Sequence, residues 1–158
     1  MITIDITQDD ATGALERLLA ANVDLSPLMR EFQGKLEAIV EDNFESEGRP
    51  GWAPLSPVTI AQREKEGKWP GKILQRTGQL AASMTGGHNA TSAWVGTNVP
   101  YARTQHFGAS KGAFGATRSG VPIPWGDIPS RPFFSATQED REALLEMLID
   151  YERRAASP

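Results

Sequence analysis

Cysteine is absent from this 158-residue chain. That absence excludes a disulfide framework, a thiol nucleophile and any thiolate metal site. Histidine is scarce: His88 and His106 alone limit imidazole metal sites to sparse, mixed ones. No apolar run approaches the roughly 18 residues of a membrane span. The opening residues, MITIDITQDD, carry neither the basic stretch nor the apolar core of a signal peptide. These absences read as a soluble protein that works without secretion.

The residues present describe a folded chain. Hydrophobic residues make up 39% and charged residues 23%, outside the range of a disordered segment. The length fits one domain over 1–158, large enough to bury roughly 70% of its unfolded surface without staples. The 15 glycines and 11 prolines cluster between Arg49 and Pro132, between two helix-like flanks. Charge follows the same division. Residues 1–47 carry 11 acids and 3 bases, residues 48–131 carry 3 acids and 10 bases, and residues 132–158 carry 6 acids and 3 bases. The net charge of −4 hides this asymmetry. It is open to three readings: a head-to-tail subunit with complementary faces, a basic nucleic-acid surface, or compensation within the fold.

Periodicity places the elements. Ile2, Ile4 and Ile6 alternate with polar residues, a strand over 2–7. Ala11, Leu15, Leu18 and Leu19 predict a helix over 10–21. Ser26 and Pro27 predict the start of a long helix, Ser26 as cap and Pro27 in the first helical position. Leu28, Phe32, Leu36, Ile39, Val40 and Phe44 form its apolar stripe; Glu31, Lys35, Glu41, Asp42 and Glu45 lie opposite. It runs to Ser46 and stops at Gly48. Ser56-Pro57 repeats the start signal for a helix over 57–66. A short turn follows Thr77, and residues 83–90 and 91–98 form two strands of a meander. Residues 101–107 are helical, 108–126 form a mobile loop or hairpin, and 128–134 are extended because residues before proline avoid the helical region. Thr137 caps a last helix whose buried stripe is Leu144, Met147, Leu148 and Tyr151. The fold class is α+β: a small antiparallel sheet packed against the 26–46 helix and the C-terminal helix, with long Gly/Pro-rich loops.

No group of side chains argues catalysis. The carboxylates sit mainly on amphipathic helix faces. Ser56, Thr77 and Ser83 have local work as caps and turn residues. There is no G-x-S-x-G elbow and no phosphate loop. His106 is read as a hydrogen-bonded structural histidine and His88 as solvated. No catalytic residue, metal ligand or cofactor is expected. Arg63, Lys65, Lys68, Lys72 and Arg76 lie within 14 residues, with Trp69 among them. That cluster suits backbone phosphate and a stacked base, although Glu64 and Glu66 interrupt it and favour a solvated surface. Trp52, Trp69, Trp94 and Trp125 are each either interface anchors or packing residues. Arg131, Pro132, Phe133 and Phe134 offer an anchor for a neighbour, or else an edge strand with Phe133 in the core. Tyr101 and Arg103, and Phe107 beside them, are further interface candidates.

Five pieces occur in order: Gly51-Trp-Ala-Pro-Leu-Ser-Pro-Val-Thr, Ile73-Leu-Gln-Arg-Thr-Gly-Gln-Leu, Val95-Gly-Thr-Asn-Val-Pro-Tyr-Ala, Phe107-Gly and Ile128-Pro-Ser-Arg-Pro-Phe. This series resembles the phage virion morphogenesis family, which includes tail completion proteins, and the likeness covers nearly the whole chain. Two positions depart from its pattern: Gln105-His106 reverses the usual order, and Ser130 replaces alanine. No role is carried over to His106. The resemblance implies a single virion morphogenesis domain and a structural, non-enzymatic protein of the head-tail neck. By fold-level analogy it implies a ring of copies of this chain, a hexamer, at the head-proximal end of the tail. The implied partners are the tail tube protein, neck or connector proteins, and packaged DNA by contact, with no membrane. The implied location is the virion neck, after assembly in the host cytoplasm. A transient head-assembly or packaging factor and a DNA-binding accessory protein are the alternatives.

Overall fold

The computed structural model describes residues 8–156. The chain forms helices α1 (Gln8–Val23), α2 (Ser26–Glu45), α3 (Pro57–Lys65), α4 (Gln79–Ala82), α5 (Ala102–Phe107) and α6 (Gln138–Ala156). Strands β1 (Thr85–His88) and β2 (Ala93–Gly96) form the sheet, a two-stranded antiparallel hairpin. The α+β class and the small sheet are as expected. The strand expected over 2–7 lies outside the described residues.

Two compact units share the chain. The described part of the first comprises α1, α2 up to Leu36, the hairpin tip Gly86–Trp94, and α6. Here α1 packs along α6. Arg17 Nη2 donates to the Ala156 carbonyl at 3.1 Å, and Tyr151 OH donates to the Asp24 carbonyl at 3.5 Å. The Lys35 ammonium meets the buried Asp140 carboxylate at 3.4 Å. Lys35 was expected on a solvated face. Its long stem lets it leave that face and serve a carboxylate in the first turn of α6, where the helix dipole also favours negative charge. Leu148, placed by periodicity in the buried stripe of α6, is instead 37% exposed.

The start of α2 also differs in detail. Asp24, not Ser26, supplies the cap: its Oδ1 accepts the Ser26 backbone N–H at 2.9 Å. Ser26 itself already lies within the helix. Hydrogen bonds from the Ser26 side chain and backbone hold the Asp24 carboxyl below the usual carboxylate range. The hairpin tip docks on this part of α2. The Leu25 N–H donates to the Ala90 carbonyl at 3.2 Å, and His88 Nδ1 lies 2.7 Å from Gln33 Oε1. His88 is therefore a half-buried tie between strand and helix rather than a solvated turn residue. Gly87 permits the close approach of Trp94 across the hairpin; a Cβ there would lie 2.7 Å from the indole.

The second unit spans Glu37–Thr85 and Val95–Thr137 and holds the larger core. Val40, Phe44, Trp52, Leu80, Val99, Ala102 and Phe133 are buried together. Phe44 stacks on Phe133 with centroids 5.5 Å apart, and Trp52 meets Phe44 edge-on at 5.7 Å. Asn43 is fully buried beside them. Its Nδ2 donates to the carbonyls of Phe133 at 3.0 Å and Ser135 at 2.8 Å, and its Oδ1 accepts from Arg49 Nε at 3.1 Å. Helix α2 ends in a turn in which the Gly48 N–H returns to the Asn43 carbonyl at 2.8 Å. Gly48 has φ +100°, and a Cβ would strike the Trp52 ring at 2.4 Å, so the stop signal is also a packing requirement. Ser56 caps α3 as expected, its Oγ accepting from the Thr59 N–H at 3.2 Å.

Residues 108–126 form a hydrogen-bonded hairpin rather than a mobile loop. The Phe114 N–H donates to the Ile123 carbonyl and the Thr117 N–H to the Val121 carbonyl, both at 2.7 Å. Isolated bridges pair Ala109 with Ile128 and Ala116 with Pro122.

The Asn43→Ala variant should lose about 2–3 kcal/mol in urea denaturation, because two buried carbonyls lose their donor. Phe133→Ala should lose about 3–5 kcal/mol, the range for deleting a buried aromatic ring.

Candidate functional site

The most developed concavity is a groove of about 930 Å³ in the second unit. One wall comes from the Pro54–Leu55 loop and α3, a second from Leu74 to Leu80, and a third from Pro124 to Pro129. Tyr101 and Gln105 of the α5 region complete it. Two guanidiniums line it, and both are inward-facing. Arg63 is 6% exposed and Arg131 5%. The cap at Ser56 fixes where α3 begins, and so which side of the helix Arg63 occupies two turns later. Its Nη1 donates to the Lys72 carbonyl at 3.0 Å, while its buried Nε has no hydrogen-bond partner. Arg131 is held by its backbone N–H to the Gln105 carbonyl at 2.9 Å. Its Nε and Nη2 donate to the carbonyls of Ala53 at 3.0 Å and Pro54 at 3.1 Å.

Neither guanidinium meets a carboxylate within ion-pair distance among the described residues. Burial lowers the pKa of both. The charge of Arg76 adds to the effect at Arg63, where Glu66 and Glu47 oppose it, and that of Arg63 adds to it at Arg131. A guanidinium is so strong a base that both side chains stay charged near neutrality. Arg76, at the edge, is compensated: its Nε donates to Glu66 Oε2 at 2.9 Å, and its Nη2 to Glu66 Oε1. The hydrogen bond from Arg76 holds the Glu66 carboxyl below its usual range.

The residues singled out from the sequence fall into distinct places. Trp52, Arg63, Arg131 and Phe133 are buried within the chain. Of the two roles open to Trp52, it takes packing, with Nε1 donating to the Pro132 carbonyl at 3.3 Å. Phe133 likewise takes the core role. Arg63 and Arg131 are recessed rather than solvated, and part of their donors, Nη1 of Arg63 and Nε and Nη2 of Arg131, is used on backbone carbonyls. Lys68 and Lys72 are exposed, and Trp69 is half-buried. Lys72 Nζ donates to the Glu45 carbonyl at 3.0 Å, and Lys68 lies 4.0 Å from Glu66. The basic cluster is thus partly tied to its own unit.

Trp125 is 65% exposed and Tyr101 43%, both at the groove. Phe107 is 71% exposed and Phe134 38%; with Arg103 they border a second, smaller cleft. Its floor is His106, whose ring meets Phe107, Phe133 and Phe134 at centroid distances of 4.6, 4.9 and 5.5 Å. The hydrogen-bonded role expected for His106 is not its role at Nδ1, which is buried without a partner. Aromatic packing holds the ring instead, and burial lowers its pKa.

The sequence reading passed over Phe114, Val121 and Ile123, which join Trp125 as exposed apolar residues on the 108–128 hairpin. The signal was present: Val121, Ile123 and Trp125 alternate at period two between prolines and glycine. Among the described residues no three of His, Asp and Glu gather as a metal site, and no helix is long and apolar enough to cross a membrane. The arrangement sets two buried guanidiniums without a contacting carboxylate beside apolar walls, and exposed aromatic side chains on a hydrogen-bonded hairpin.

Comparison with known proteins defines the class. A model of the phage virion morphogenesis family matches residues 6–151. The chain belongs to that family. It is 39% identical over 152 residues to "Mu-like prophage FluMu G protein 2" of Haemophilus influenzae, covering 96% of each chain. It is 27% identical over 123 residues to "Putative capsid assembly protein G" of Escherichia phage Mu, covering 75% of this chain and 74% of that one. No solved structure matches it significantly.

The environment of His106 predicts a pH dependence. Its folded-state pKa is lowered, whereas the unfolded chain titrates near about 6.5. The unfolded state therefore binds more protons as pH falls through that value, and stability drops with it. Thermal melts from about pH 7.5 to about pH 5 should show His106→Phe losing less stability than the parent chain. Parallel losses in the two proteins would assign the pH dependence elsewhere.

Proposed function

We propose that this virion morphogenesis protein is a tail completion protein. Copies form a ring at the head-proximal end of the tail, close the tail tube and join it to the filled head. The observation that carries this reading is the unlike charge of the two units. The stretches making up the first unit hold 12 acids and 6 bases, and those of the second hold 8 acids and 10 bases. Exposed Phe107, Phe114, Ile123 and Trp125 all belong to that second unit. A subunit with unlike surfaces suits heterologous, head-to-tail contacts, which close into rings. A six-membered ring would match a sixfold tail tube. Its neighbours would be the tail tube protein on one side and neck or connector proteins on the other, with packaged DNA passing near the ring. The work is assembly, not chemistry.

A second reading has one specific support: the relative in Escherichia phage Mu is named for capsid assembly. In that reading the chain acts during head construction and is absent from the finished particle.

Electron microscopy of a lysate from a phage lacking this gene separates the two. The tail reading expects filled heads beside free tails, with the tails of normal or irregular length. Missing or malformed heads would replace it with the head-assembly reading.

A further inference from the structure

The two arginines of the groove remain to be explained. Arg63 and Arg131 are at least nine-tenths buried, carry like charge, and have no carboxylate within ion-pair distance among the described residues. A buried charge without a contacting counter-ion is costly; Glu66 and Glu47 act on Arg63 only from beyond ion-pair distance, and Arg63 Nε is also an unused donor of a groove-lining residue. The site is built for an anion that arrives from outside. Its size and its apolar walls of Leu55, Leu74, Leu80 and Ile128 exceed the needs of an inorganic ion. Nucleic acid is a poor fit. Phosphate backbones are held by solvated lysines and arginines, whereas these guanidiniums are recessed. A carboxylate flanked by apolar side chains fits both features.

The chain carries such a surface. On α6, Glu142, Leu145, Glu146 and Ile149 recur at the spacing of one helix face. Leu145 is 55% exposed and Ile149 46%, and both glutamates are exposed. Glu142 accepts a hydrogen bond from Gln138 at 2.8 Å, and Glu146 has no ion-pair partner among the described residues. We infer that the groove receives this face of α6 from a second copy of the chain. The glutamates approach Arg63 and Arg131, and Leu145 and Ile149 pack against the apolar walls under Trp125. Groove and helix face are different surfaces, so each copy has one of each, and the contact is head-to-tail. The inference draws its biological setting from the ring reading, which it supplies with an interface.

The test uses the full chain and sedimentation equilibrium. One variant, Glu142→Lys with Glu146→Lys, alters only exposed helix positions. Another, Trp125→Ala, alters the edge of the groove. Far-UV circular dichroism melts confirm that each is folded. The parent chain should associate, and each variant should associate at least about tenfold more weakly. An equimolar mixture of the two variants should give heterodimers, because the mixture holds one intact groove and one intact helix face for each pair. A monomeric parent chain, or variants that associate as the parent does, overturns the inference. Retention of the parent on a short DNA duplex that is lost with Arg63→Met and with salt would also overturn it, in favour of a nucleic-acid groove. Parent rings unaffected by both variants remove this interface while leaving the ring reading intact. Normal joined tails in the absence of the gene remove the ring reading, whatever the groove binds.

Discussion

A single buried amide organises the larger unit. Asn43 stands one residue before Phe44 on α2, so the helix that buries its apolar stripe also buries a polar group. That group needs partners, because an unpaired buried amide costs more than a typical hydrogen bond contributes. Asn43 finds them in the carbonyls of Phe133 and Ser135 and in Arg49. These contacts set the path of residues 133–135 and place Phe133 on Phe44. Arg131 lies two residues earlier on the same stretch, so its reach to Ala53 and Pro54 follows from the same anchoring. The groove thus depends on an asparagine that does not line it.

The groove shows why charge summed by segment is a weak guide to a binding face. Residues 48–131 hold ten bases, yet Arg63 and Arg131 are used inside the unit, Arg76 is paired with Glu66, and Lys72 holds the end of α2. Lys65, Arg103, Lys111 and Arg118 stay exposed, so the segment's charge is divided between an outer set and two recessed guanidiniums. In the recess the dielectric is low and a matching carboxylate gains most.

Local signals made much of the fold legible. The 3.6-residue stripe of α2, the Ser-Pro start of α3, the short hairpin and the helix before Gly108 all express rules that act within a few residues. Departures came from a competing local partner at the start of α2 and from distant partners elsewhere. Asp24 rather than Ser26 caps α2 because the chain enters the helix one residue earlier than the Ser-Pro signal suggests. Lys35 leaves its helical face for Asp140, more than a hundred residues away. For residues 108–126 the hairpin, one of the two forms their composition allowed, is the one observed, and their glycines permit it. The site was legible as a set of aromatic and basic residues; which of them turn inward was not. Burial of Arg63 and Arg131 is decided by carbonyls at Lys72, Ala53 and Pro54, and no local pattern encodes those partners.

The order of the chain adds a constraint on assembly. It leaves the first unit within α2, returns at the hairpin tip, and leaves again before coming back at α6. Helix α2 and the hairpin are therefore shared by both units, and each unit's core contains only part of these elements. The exposed hairpin 108–128 and the outer face of α6 lie away from this sharing, each within one unit. Residues such as Asn43 and Phe133 hold the architecture, while residues such as Trp125 and Ile149 are exposed and can change with least cost to the fold.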